Sequence, residues 1–185
     1  MTSLRQLLLP GISARSRSRR ELGGDIGRGK RKQSRPFSGR LPLHLVLRSS
    51  RARGPWSLRR RPHEAAIAEE LERAARRFNV KIYERATVEN HIHLLVRARS
   101  RESLSNFLRF VGGRIAQRVT GALKGQPCQR FWDELAWSRI VTWGPDFRNV
   151  IAYIQLNLCE TMGLVPQRPR RRTPCSPDRS ATQLQ

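Results

Sequence analysis

The sequence predicts an α+β fold in which an antiparallel sheet carries helices packed on it, with a basic tail expected to be disordered at either end. Two observations lead there. Between residues 41 and 165 the hydrophobic period changes in the order strand, helix, strand, strand, helix, strand, helix. Two adjacent β-prone runs are separated only by Glu89-Asn90, which leaves room for a hairpin and nothing longer.

Leu43 to Arg48 reads as the first strand, with leucine at alternate positions, and an Arg- and Pro-rich loop follows. From His63 to Phe78 the apolar residues Ile67, Leu71, Ala74, Ala75 and Phe78 fall on one helical face. Lys81 to Val88 and His91 to Ala98 form the expected hairpin. A second helix spans Ser103 to Val119, with Leu104, Phe107, Leu108, Val111, Ile115 and Val119 on one side and Gly112-Gly113 as an interior weakness. Leu135 to Thr142 reads as a further strand. Pro145-Asp146 then opens a third helix reaching about Cys159, because proline tolerates the first turn and an acidic group suits its partial positive charge.

The remaining segments, residues 1–40 and 166–185, lack apolar periodicity. Ser-Arg alternation fills Ser13 to Arg20, and the C-terminal segment carries Pro166, Pro169, Pro174, Pro177 and Arg170-Arg171-Arg172. Both are expected to be disordered basic tails that add non-specific phosphate contacts or merely extend into solvent. With 185 residues the chain has room for one ordinary domain besides them, since domains cluster near about 100 to 150 residues.

A formal charge of +23 and a pI near 11.8 suit a polyphosphate partner. Almost all of that charge is arginine, a skew that a GC-rich genome produces as readily as nucleic-acid contact does. Cys128, Cys159 and Cys175 contain no C-x-x-C spacing, which argues against a disulfide scaffold and a structural zinc site and fits a reducing cytoplasm. Leu7-Leu8-Leu9 is broken by Pro10, and no run approaches the roughly 20 apolar residues of a membrane span. The expectation is a soluble, cytoplasmic, nucleoid-associated protein with no membrane partner.

The chemistry-bearing residues are few. On a strand, His91 and His93 project from one face while Ile92, Leu94 and Val96 project from the other. Two neighbouring imidazoles are half of a metal site, or else two ordinary strand histidines. On the last helix Phe147, Val150, Ile151, Ile154 and Leu158 form the packing face, and Tyr153 and Asn157 stack four residues apart beside it. There the phenol and the amide would reach a metal on the sheet; the plainer alternative is a packed tyrosine ring and an asparagine near a helix end. Arg48 and Arg139 fall on strands and are candidates for contacts with backbone phosphates. Trp132, Trp137 and Trp143 offer stacking faces for unpaired bases or simple core volume.

Taken together, Asn90-His91-Ile92-His93-Leu94-Leu95-Val96, Gln129-Arg130-Phe131-Trp132 and Ala152-Tyr153-Ile154-Gln155-Leu156-Asn157 resemble the single-tyrosine HUH transposases. The sequence is most similar to the REP-associated tyrosine transposases over about residues 43–163. That resemblance implies the ferredoxin-like palm of an HUH endonuclease, with an aromatic strand at residues 129–132. It also implies that His91, His93 and Asn157 bind a divalent metal, Mg²⁺ or Mn²⁺, and that Tyr153 is the nucleophile of a DNA transposition reaction. The expected product is a 5′-phosphotyrosine with a free 3′-hydroxyl, and the expected partner is single-stranded or hairpin DNA, bound by a monomer or a homodimer. Two positions depart from the family's usual pattern, Glu89 before Asn90-His91 and Leu158 after Asn157, where proline is common; neither change removes a reacting atom.

The competing class is a non-catalytic, domesticated nucleic-acid-binding protein, which would need neither Tyr153 nor a metal. An RRM-type RNA binder is disfavoured because no Lys/Arg-Gly-Phe-Gly-Phe-like run is present, and the sequence has no Walker-type loop.

Overall fold

The computed structural model describes residues 21–23, 34–123 and 130–166. Their elements run β1 (Glu21–Leu22), β2 (Leu43–Arg48), a 3-10 turn (Gly54–Trp56), α1 (Arg61–Arg77), β3 (Val80–Thr87), β4 (His91–Ala98), α2 (Arg101–Thr120), β5 (Trp137–Ile140) and α3 (Pro145–Thr161). The strands form one antiparallel sheet in the order β1-β5-β2-β4-β3. The expected α+β architecture is what the chain adopts.

Strand alternation divides this sheet into two unlike faces. Residues directly opposite on paired strands share a face, and β2 pairs with β4 through Leu43↔Val96, Leu45↔Leu94 and Leu47↔Ile92. All six are buried, and they pack against Ile67 and Leu71 of α1 and Phe107 and Ile115 of α2. Removing each such side chain from water contributes about 1.5–3 kcal/mol, so this layer is the main source of cohesion. The intervening pairs, His44↔Leu95, Val46↔His93 and Arg48↔His91, look the other way, towards α3. There a smaller cluster of Ala86, Leu95, Val141, Val150 and Ile154 seats the helix.

Local chemistry sets the boundaries. Ser100 caps α2 by accepting from the Ser103 N–H at 3.0 Å, and Gly121 ends the helix in the left-handed region at φ 70°. The Gly112 carbonyl of α2 accepts a 2.8 Å hydrogen bond from the Trp132 indole, and a side chain at 112 would meet that ring. The backbone at the glycine expected to weaken the helix thus carries the contact with Trp132. Buried Glu70 of α1 ties the two helices together, accepting from Arg114 at 3.0 Å and Arg118 at 3.1 Å. Burial pushes its carboxyl up, but the Arg114 and Arg118 hydrogen bonds and the charges of Arg114 and Arg73 outweigh that and hold it below its ordinary value.

Two features differ from the sequence expectation. Glu21–Leu22, assigned to a disordered arm, adds a short edge strand to β5, with Glu21 opposite Arg139. Gly23 permits this approach, because at φ 94° a Cβ there would lie 2.3 Å from the Ala136 carbonyl oxygen. Phe131 and Trp132 precede β5 instead of lying on a strand, since Phe131 is buried in the core and Trp132 turns to α2. Gln129, residues 1–20 and 24–33 and the segment from 167 to the end lie outside the described residues.

Candidate active site

The α3-facing side of β2 and β4 gathers histidines. His91 and His93 project together as alternation requires, with ring centroids 4.7 Å apart and planes at 82°. A third imidazole joins them from β2. His44 stacks on His93 at 5.4 Å, and His44 Nε2 lies 3.2 Å from His93 Nδ1. Both His44 and His93 are 2% exposed. His93 Nε2 is buried and has no hydrogen-bond partner. At the start of β4 the Asn90 side-chain oxygen lies 2.8 Å from His91 Nδ1.

Helix α3 brings the phenol. Gly144, at φ 91°, turns the chain out of β5, and Pro145 and Asp146 occupy the first helical turn. Asp146 fixes the start of the helix by accepting from both guanidinium nitrogens of Arg139, at 3.2 and 3.0 Å, and from the Thr142 N–H at 2.9 Å. Val150 and Ile154 then hold the helix on the sheet, which leaves half-buried Tyr153 above the imidazoles. Its ring meets His93 edge-on at 5.6 Å and His44 at 6.1 Å.

The electrostatics keep the buried rings neutral. Burial, reinforced by the Arg139 charge and partly opposed by Asp146, pushes His44 down to about 3. Burial, with the neighbouring His44 and His91, holds His93 well below its ordinary value. Neutral imidazole is the metal-binding form. Among the described residues no group of three or more His, Cys, Asp or Glu could hold a metal ion. The donors brought together here are the imidazoles of His91 and His93, a sparse set that leaves coordination positions open. The buried ring nitrogen of His93, which has no hydrogen-bond partner, is chemically suited to ligate a cation.

The predicted site residues thus fall into groups. His91, His93 and Tyr153 come together. Asn157, one turn beyond Tyr153, uses its amide nitrogen on the Tyr153 carbonyl at 2.6 Å, so its hydrogen bond stays within α3. Arg48 lies beside His91 across the β2–β4 pair; its side chain is 35% exposed and stands 3.7 Å from Asp133. Arg139 corrects the expectation of a phosphate contact. Its side chain is only 5% exposed, and both ends of its guanidinium fork are committed to Asp146. Trp132 belongs to the core layer, Trp137 stands edge-on to His44 at 5.4 Å, and Trp143 is 44% exposed with its indole N–H on the Arg40 carbonyl. His44 is the residue that sequence reasoning missed. Its signal was an imidazole on the non-leucine side of an otherwise apolar strand.

Comparison with known proteins gives this site a family. A solved REP-associated tyrosine transposase bound to a REP hairpin is 14% identical, with a TM-score of 0.58 over 74% of this chain and 76% of that one. A putative transposase from Deinococcus radiodurans R1 is 18% identical, with a TM-score of 0.42 over 68% of this chain and 97% of that one. At such identities the first likeness is one of fold. No curated protein matches the sequence. The family model for IS200-like transposases matches residues 38–155, from the approach to β2 through Tyr153 on α3. The chain therefore belongs to the IS200-like transposase family.

Proposed function

We propose that this protein cleaves and rejoins single-stranded DNA through a covalent bond to Tyr153, with His91, His93 and Asn157 as ligands of a divalent metal, Mg²⁺ or Mn²⁺. The observation that carries this reading is the position of the Tyr153 ring, 5.6 Å from a histidine whose buried Nε2 lacks a partner. When bound, the cation supplies Lewis-acid polarisation of the scissile phosphate.

The chain's own residues supply the rest. Helix α3 holds the phenol over the sheet at the edge of its packing seam, so little freedom is lost on attack. The Tyr153 oxygen gives up its proton and attacks phosphorus. A phosphorus–tyrosine ester forms, the bond to the 3′-oxygen breaks, and that oxygen leaves as a 3′-hydroxyl after taking a proton. Attack by a 3′-hydroxyl on the same ester reverses these changes and returns the phenol, so no nucleotide cofactor is needed. Arg48, beside His91 and more than a third exposed with its Asp133 partner included, offers positive charge to the flanking backbone. Hairpin DNA is the proposed substrate class, supported by the REP hairpin bound in the structurally similar transposase. The proposed setting is the cytoplasm at the nucleoid; no helix among the described residues is long and apolar enough to cross a membrane.

The test uses hairpin-bearing single strands labelled at either end. Cleavage as written leaves the 3′-labelled fragment on the protein in SDS and releases the 5′-labelled fragment. Tyr153→Phe is expected to give no adduct, and EDTA to stop cleavage far more than binding. An adduct undiminished in the variant would remove Tyr153 from the mechanism, and equal loss of binding and cleavage in EDTA would count against a metal in the chemical step.

A further inference from the structure

Two hydrogen bonds behind the histidine pair share one design. His91 Nδ1 lies 2.8 Å from the Asn90 side-chain oxygen, an atom that only accepts, so His91 Nδ1 must carry the proton. In the neutral ring the lone pair is then on Nε2. His93 Nδ1 lies 3.2 Å from His44 Nε2, and between two neutral imidazoles one nitrogen donates and the other accepts. His93 Nε2 decides between the two arrangements. It is buried without a partner, and a proton there would be a donor with nothing to receive it, whereas a lone pair there is a ligand waiting for a cation.

We propose that His44 and Asn90 are positioning residues that fix His93 and His91 as Nδ1–H tautomers and thereby aim both Nε2 lone pairs at the metal. The inference rests on the metal-dependent reading above and extends it to two side chains that need not touch the ion. The surroundings of His44 suit the role. It is 2% exposed, stacked on His93, flanked by Trp137 and held on β2 opposite Leu95 of β4, so its Nε2 has little freedom to turn away. Asn90 sits in the β3–β4 connection directly before His91, where the Val88 N–H donates to the His91 carbonyl at 2.9 Å and closes the turn. One ligand is thus set from its own hairpin and the other from the neighbouring strand. Partners that orient a ligating histidine through its second nitrogen raise metal affinity by about 10–100-fold.

The experiment reads tautomers first, in the metal-free full chain, by ¹⁵N histidine NMR. His91 and His93 are expected to show protonated Nδ1 and bare Nε2; a His93 protonated on Nε2 would overturn the proposal without any activity measurement. Mn²⁺ affinity by EPR follows. His44→Leu and Asn90→Ala should each weaken it by about 10–100-fold. His44→Gln and Asn90→Asp, which restore an accepting oxygen, should bind close to wild type. A folded His44→Leu protein with unchanged affinity, or His44→Gln as weak as His44→Leu, would mean that His44 only fills space. Failure of the wild type to take up Mn²⁺ at all would contradict the metal reading itself, while the tautomers would still stand or fall on the metal-free spectra.

Discussion

The two faces of the sheet are built by the same strands, yet they do different work. Towards α1 and α2, β2 and β4 present Leu43, Leu45, Leu47, Ile92, Leu94 and Val96, all buried among apolar side chains. Towards α3 the same strands present His44, Arg48, His91 and His93, with only five fully buried apolar residues in the cluster below the helix. A one-residue alternation separates cohesion from chemistry. On the first side the buried carboxylate of Glu70 is compensated by Arg114 and Arg118, whereas the second retains a buried imidazole nitrogen, His93 Nε2, that lacks a hydrogen-bond partner. Apolar burial is therefore concentrated on the α1 and α2 side, which leaves the α3 face able to carry groups that would weaken a core.

That contrast is sharpest in paired substitutions. Tyr153→Phe should abolish the covalent adduct while leaving the unfolding midpoint near that of wild type, because the ring and its contacts with His93 and His44 persist. Phe107→Ala, on the opposite face, should cost about 3–5 kcal/mol in denaturant unfolding and still permit adduct formation under conditions where the protein is folded. If Phe107→Ala abolished the adduct while folded, or Tyr153→Phe unfolded the chain, the division of labour would be wrong.

Asp146 tests the join between the faces. Burial raises its carboxyl, but the Arg139 hydrogen bond, the Thr142 backbone and the Arg139 charge outweigh this and hold it below 3.8. A group lowered in the folded state stabilises above its unfolded value and loses that contribution as pH falls through its folded value. Asp146→Asn should therefore cost about 1–3 kcal/mol at neutral pH. Its deficit should shrink once the pH is brought below 3.8; a constant deficit across that range would show that the charge is not what seats α3.

The smallest effect concerns Arg48. Arg48→Ala should weaken single-strand binding across sequences and lower the salt slope by about 1. An unchanged slope would leave Arg48 as a tether for Asp133 only.

Much of this was legible in the chain because it is local. Helix periodicity, the Pro145-Asp146 start, the Glu89-Asn90 hairpin and the shared face of His91 and His93 depend on neighbours within a few residues. What escaped depends on register or on distant partners. His44 meets His93 only because β2 and β4 pair as Val46↔His93, and the two histidines are 49 positions apart in the chain. Arg139 reads as a strand arginine available to phosphate until α3 folds back and delivers Asp146 to it. Glu70 looks like a solvated helix position until Arg114 and Arg118 arrive from α2. Phe131 and Trp132, expected on a strand only from the family resemblance, instead lie before β5, with Phe131 in the core and the Trp132 indole on the Gly112 carbonyl of α2.

The central claim is that the phenol of Tyr153 is the atom that joins DNA. The most direct measurement digests the wild-type adduct with nuclease and protease and locates the remaining nucleotide by mass spectrometry. The expected result is a phosphodiester-linked remnant on the peptide containing Tyr153; the same remnant on Tyr83, the only other tyrosine, or on any other side chain would contradict the account.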